Sequence, residues 1–230
     1  MYKYETHLHT LPISKCAISD AESSLKFYKD MDYDGVFITN HFGFKNVGLD
    51  GVTYESKVNT YFDDIENSQE IGKRIGLKVF SGFEMGDQGA DFLVYGIGRE
   101  FFLKNADFMT LDILDKLTLM KEAGGLIIHA HPFRQLKSKR SIRIFPYHVE
   151  GVEVYNTNRE GQGTELAAMY AKHYELSEFA GSDNHSAEEH PLLGGMQSET
   201  PITDEQDFID KYRSGKLYTF CEKIPFIYRE

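Results

Sequence analysis

Nine histidines occur among 230 residues, and six of them stand where metal chemistry would need them. His7-Leu8-His9 is an H-x-H on an extended run. Side chains two apart on a strand share a face, so both imidazoles can clamp one ion. His129-Ala130-His131 repeats the spacing, and Asp183-Asn184-His185 offers a carboxylate and an imidazole by the same logic. His41 and Glu84 follow two further apolar runs. Neutral imidazole with carboxylate suits Zn, Mn or Fe better than Ca or Mg. A single H-x-H is common by chance; the joint placement of all these groups carries the weight.

That placement depends on the elements beneath. Apolar runs predict strands at 4–8, 35–39, 78–83, 92–97, 126–129, 151–155, 178–181 and 217–220. Helices are expected at 19–32, 61–75, 110–123, 163–174 and 204–213. Ser19-Asp-Ala-Glu22 reads as a capping box, and Gly76, Gly124 and Gly215 fall where helices should end. Strands alternating with helices imply parallel βαβ units, and this many strands favour a barrel over a small open sheet. In a parallel α/β barrel the C-terminal strand ends share one face, where catalytic groups gather. Loops are expected at 42–54, rich in Gly, and at 134–147, rich in basic residues.

Composition bounds the remainder. Hydrophobic residues make up 41%, with 17 Phe and 14 Tyr, enough to fill the core of one domain over residues 1–230. No run approaches the roughly 18 apolar residues of a membrane span. The first residues carry no apolar signal region, so cytoplasmic residence is the expectation. Cys16 and Cys221 do not make a disulfide framework. A net charge of −11 argues against a basic nucleic-acid surface, and no stable nucleic-acid complex is expected. The oligomeric state is not legible.

At this point the chain resembles the PHP (polymerase and histidinol phosphatase) superfamily. The matching segments are His7-Leu-His-Thr10, Ile38-Thr-Asn-His41, Gly82-Phe-Glu84, His129-Ala-His-Pro132 and Gly181-Ser-Asp-Asn-His185. The resemblance implies a distorted (β/α)7 TIM-like barrel, two or three divalent ions, and hydrolysis of phosphate esters by metal-activated water. It also implies ligand roles. His7, His9, Glu84 and Asp183 would hold the first metal, and His41 and His185 the second. Glu84 would bridge to a third, joined by His131. Two positions depart from the family pattern. Cys16 stands near where the second metal's extra histidine would sit; a thiolate ligand and a small buried Cys are both open readings. Asp91 stands where a histidine is often found, and either ligates the third metal as a carboxylate or leaves that site weak. His129 lacks a firm counterpart and is read as a general acid or hydrogen-bond partner, or as a residue holding His131.

Substrate anions need positive charge. Arg134, Lys137, Lys139, Arg140 and Arg143 crowd one segment directly after His131-Pro-Phe. Arg134 or Arg143 is the candidate phosphate-binding group, since a guanidinium forks onto phosphate oxygens. Asn156, after the sixth strand, could orient water or substrate; Asn158 follows it, and Arg159 is a weaker anion candidate. Glu153 is read as pointing into the barrel or the packing layer. His148, His173 and His190 are given no chemical role.

The expected activity is thus a phosphoesterase on a small phosphomonoester, such as histidinol phosphate, or a nucleotide. Two alternatives stand. One is an exonuclease on short oligonucleotides, with Phe42, Phe44 and Tyr54 as stacking candidates. The other is a non-catalytic metal-binding module.

Overall fold

The computed structural model describes residues 1–43, 52–87, 89–134, 141–159, 163–187 and 192–223. Among these residues nine strands form one sheet: β1 (Tyr2–Leu8), β2 (Gly35–Ile38), β3 (Lys78–Asp87), β4 (Ala90–Tyr95), β5 (Leu126–Ala130), β6 (Gly151–Asn156), β7 (Ser177–Gly181), β8 (Leu192–Ser198) and β9 (Leu217–Lys223). Their spatial order is β7-β6-β5-β4-β3-β2-β1-β8-β9. The far edge curls round until β7 meets β1. Leu8 bridges Asn184, and the Ser182 hydroxyl exchanges hydrogen bonds with Gly194 on β8. The sheet is therefore a nearly closed, mixed α/β barrel. It is not uniformly parallel, as the alternating pattern suggested. β4 runs antiparallel to both β3 and β5, and β8 is antiparallel to β1 and β9.

Two features of the strand set differ from the expectation, each for its own reason. β8 escapes a hydropathy reading because its centre is Gly194-Gly195. Close packing explains that pair: a Cβ on Gly194 would lie 3.2 Å from the Gly181 carbonyl oxygen. β4 is a hairpin return after β3 rather than a crossover, and hydropathy alone does not give direction.

Among the described residues, six α-helices pack on the barrel: α1 (Ala21–Asp30), α2 (Tyr54–Ile75), α3 (Arg99–Lys104), α4 (Ile113–Glu122), α5 (Thr164–His173) and α6 (Glu205–Arg213). Asp20, not Ser19, caps α1 by accepting from the Ser23 amide. α2 begins seven residues before the expected start, capped by Thr53. Tyr54 opens this helix, and its hydroxyl bonds the Phe102 carbonyl. Gly76 ends α2 in the left-handed region at φ 72°. Among the described residues no helix is long and apolar enough to cross a membrane.

Strand alternation divides the core into layers. Phe37, Phe80, Leu93, Tyr95, Leu126, Ile128 and Phe179 face the barrel interior, where Phe208, Ile209 and Tyr212 of α6 plug one end. Phe208 lies 4.3 Å from Phe37 and 5.2 Å from Tyr95, ring centre to ring centre. Val36, Ile38, Phe83, Phe92, Val94 and Ile127 face outward onto the helices. This aromatic floor leaves the opposite end of the barrel for polar groups. Phe42, a stacking candidate in the sequence, is instead packed in the outer layer against Tyr61, Phe83 and Phe102. Phe44 lies outside the described residues.

One outer-layer acid makes a stability prediction. Burial raises the Asp64 carboxyl from 3.8 to about 6, and its Oδ2 is buried without a hydrogen bond. The folded form keeps its proton to a higher pH than the unfolded chain does. Stability is then lost as pH rises through that window. Asp64→Asn is expected to gain about 1–2 kcal/mol near pH 8 and nothing near pH 3, read by urea unfolding. Equal effects at both pH values would refute the assignment.

Candidate metal centre

The polar end of the barrel gathers metal-ligating groups from six strands. β1 delivers His7 and, just past its end, His9. Regular alternation from inward-facing Tyr4 would put Leu8 inside and both histidines outside. A register shift between Glu5 and Leu8 reverses this, a β-bulge re-aiming the side chains beyond it. The Glu5 carboxylate supports the bulge: its Oε1 accepts from the amides of Thr6, His7 and Ser182, at 2.8–3.0 Å. Its Oε2 accepts from Tyr28 at 2.6 Å. Glu5 was not singled out from the sequence, where nothing marks an irregular strand.

Glu84, on β3, is the hub. Its Oε1 lies 3.1 Å from His131 Nε2 and 3.7 Å from His7 Nε2. Its Oε2 lies 2.7 Å from His41 Nδ1 and 3.4 Å from His9 Nε2. Asp183 Oδ1 stands 3.5 Å from both His7 Nε2 and His9 Nε2. Those two ring nitrogens are 3.2 Å apart. The rings of His41 and His185 each sit 4.4 Å from that of His9. Ser14 ties this side together, its Oγ meeting His9 Nδ1 at 3.1 Å and accepting from the His41 amide at 3.0 Å.

Four sets of three donors have ligand atoms close enough to share a cation: His7, His9 and Glu84; His7, His131 and Asp183; His9, His41 and His185; Glu84, Asp91 and His131. The chemistry of the set fits divalent metal. Buried imidazoles and carboxylates converge with no Lys or Arg among them, and His131 Nδ1 is buried without a hydrogen-bond partner. Electrostatics agree. Burial opposes charge on Glu84 and Asp183, yet the surrounding histidines hold both well below the usual carboxylate range. Burial likewise opposes a proton on His7 and His41, but the neighbouring acids push them up to about 10 and about 11. His9 is brought down to about 3 by burial and by the charge of His41.

The two departures from the family pattern fall differently. Asp91 joins the group from the start of β4, its Oδ2 3.7 Å from His131 Nδ1. Cys16 is exposed, which removes the small-buried-residue reading. Burial of the sulfur would raise its pKa, but hydrogen bonds with His185 and His41 outweigh that and bring the thiol down to about 6.

His129 does not join the cluster. It lies on β5 with outward parity, stacked on Phe92 at 5.3 Å and edge-on to Phe145 and Tyr170 at 5.9 Å each. Period two was carried past the strand end: β5 stops at Ala130, and His131 turns inward with φ 27°. A general-acid role for His129 is not compatible with that cage. Asn156 reaches the centre, but its Nδ2 is committed to Glu153 Oε2 at 2.9 Å and Asp183 Oδ2 at 3.3 Å. Asn158 donates to the Asp183 carbonyl at 2.9 Å.

Arg134 follows the His131 turn, its amide bonded to the His131 carbonyl at 3.0 Å; its Nε is buried without a hydrogen-bond partner. Arg143 stacks over Phe145 at 5.0 Å, on the outer side of β5, with Nη1 likewise unpartnered. Lys137, Lys139, Arg140 and His190 lie outside the described residues, as does the side chain of Arg159.

Comparison with solved structures adds the fold's relatives. A two-domain protein from Bacteroides vulgatus containing a predicted PHP-like metal-dependent phosphoesterase superposes with a TM-score of 0.66 at 13% identity. The match covers 95% of this chain and 64% of that one, so this chain spans about two thirds of its length. The fold is that of the PHP-like phosphoesterases. PsfC from Pseudomonas syringae superposes with a TM-score of 0.62 at 16% identity, over 99% of this chain and 93% of that one. An amidohydrolase from Chromobacterium violaceum, solved with bound sulfate and no metal, matches at 0.54 and 12% identity, over 94% and 97%. No family model and no curated protein matches the chain.

Proposed function

We propose that this chain is a metal-dependent phosphoesterase acting on a small phosphomonoester or a nucleotide. The observation that carries the reading is Glu84: one buried carboxylate within 3.7 Å of ring nitrogens from four histidines on three separate segments. Such an arrangement joins the donor sets into a single polynuclear centre. His7, His9, Glu84 and Asp183 would hold one ion, and His41, His185 and Cys16 a second. Glu84, Asp91 and His131 would hold a third. The donor types favour Zn, Mn or Fe. When bound, such ions supply Lewis acidity toward phosphoryl oxygens and lower the pKa of coordinated water.

The protein's own groups do the positioning. Ser14 fixes the His9 ring and the His41 backbone. Asn156 braces Asp183 through its Nδ2. Arg134 supplies the positive charge, since its unpartnered Nε stands one turn from His131. A guanidinium beside the centre would favour an anionic phosphate ester over an uncharged amide as the bond to be cleaved. The exonuclease reading loses one of its three stacking candidates, since Phe42 is buried.

The test is direct. Bound Zn, Fe and Mn are measured on purified protein. Hydrolysis of p-nitrophenyl phosphate, histidinol phosphate and a short labelled oligonucleotide is then followed through chelation and metal add-back. Metal-restored hydrolysis of a monoester is expected; metal-loaded protein inert on all three would point to a binding module. Arg134→Ala is expected to raise KM about tenfold or more through loss of a charge-assisted hydrogen bond, about 1.5–3 kcal/mol. An unchanged KM would reject that role.

A further inference from the structure

Glu153 sits on β6 with its side chain wholly buried, and it touches no Lys or Arg among the described residues. Three donors converge on it. Oε1 lies 2.7 Å from His7 Nδ1, and Oε2 accepts from the His131 amide at 3.0 Å and from Asn156 Nδ2 at 2.9 Å. A second register shift, between Glu153 and Tyr155 where β6 pairs with β7, lies just beyond it. A carboxylate accepts at both oxygens and donates at neither, so it satisfies all three donors at once.

We propose that Glu153 is a positioning residue for the metal centre: it selects the His7 tautomer that leaves Nε2 free to ligate and locks that ring to the turn carrying His131. The inference rests on the metal-centre reading above. With Nδ1–H given to Glu153, the lone pair of His7 Nε2 points at the cluster, where His9, Asp183 and Glu84 wait within 3.7 Å. The same carboxylate sets the backbone from which His131 leaves, and through Asn156 it braces Asp183. One side chain thus fixes three donors assigned to two different cations. Carboxylates behind metal-binding histidines work in this way, and their loss weakens metal binding about 10–100-fold.

Glutamine is a sharp probe because it has the same shape. With its NH2 toward His7, the ring must accept at Nδ1 and carry its proton on Nε2, which removes the ligand. With its NH2 turned the other way, it meets the donors of His131 and Asn156. Either orientation breaks the arrangement.

Two measurements on the full chain test this. Zinc affinity of wild type and Glu153→Gln is read by competition with a chelating indicator, with thermal unfolding as the check on folding. A loss of about 10–100-fold in a folded variant is expected. Nitrogen-resolved imidazole NMR of the zinc-loaded wild type is the second, and it needs no variant. It should show His7 protonated at Nδ1 and not at Nε2. Wild-type affinity in Glu153→Gln, or a His7 ring protonated at Nε2, would overturn the proposal while leaving the metal centre standing. A wild-type protein that takes up no zinc, manganese or iron would overturn both.

Discussion

Replacing Glu84 with alanine is expected to lower kcat/KM for a phosphate ester about a thousandfold or more, equivalent to about 4 kcal/mol of transition-state stabilisation. The reasoning is geometric. Each Glu84 oxygen faces two histidine nitrogens, so one deletion removes a donor from two of the four cation-sized sets and exposes the other rings to each other. Stability should fall as well. Taking one partner from a buried charged group leaves the rest uncompensated, typically at about 3–5 kcal/mol. Glu84→Gln keeps the volume and separates the two effects: activity should remain lost while unfolding recovers part of the deficit. Assay of both variants beside their metal content decides the matter. More than a tenth of wild-type activity in Glu84→Ala would sink the polynuclear reading.

The second large effect is expected from the smallest possible change. Gly181 ends β7 directly beneath His7, and an added Cβ would lie 2.5 Å from His7 Cβ and 3.0 Å from Glu153 Oε1. Neither neighbour can retreat. The His7 amide is bound by Glu5, and Glu153 is held by three donors. Gly181→Ala should therefore cost about 1–3 kcal/mol of stability through overpacking. It should also weaken zinc binding about tenfold or more by pushing the His7 ring off its place. Gly98→Ala is the comparison, since nothing lies within 4 Å of its Cβ position. Thermal unfolding and chelator competition on both variants would show whether the clash, rather than loss of any glycine, is responsible. Indistinguishable variants would refute the account.

Most ligand candidates were legible because imidazole and carboxylate at strand ends are rare enough to be noticed and the barrel brings such ends together. His7, His9, His41, Glu84, His131, Asp183 and His185 do converge. What the sequence hid was local backbone irregularity. His129 and His131 do not share a face because period two holds only inside a strand, and β5 ends at Ala130. His7 and His9 point inward by virtue of a bulge that hydropathy cannot reveal. Glu153 had a usable signal, an acid inside a buried strand, but its partner could not be named without knowing that the barrel closes to bring His7 beside it. β8 was invisible because its central glycines have no side chain to register a pattern.

The reversed direction of β4 has one more consequence. The other donors come from the later part of a strand or from the turn beyond it, whereas Asp91 enters near the beginning of its strand, paired with Gly86. Lengthening or shortening the β3–β4 hairpin would move Asp91 while the other strands keep their register. Evolution, or a protein engineer, thus has a separate dial for one cation position, adjustable without retuning the rest.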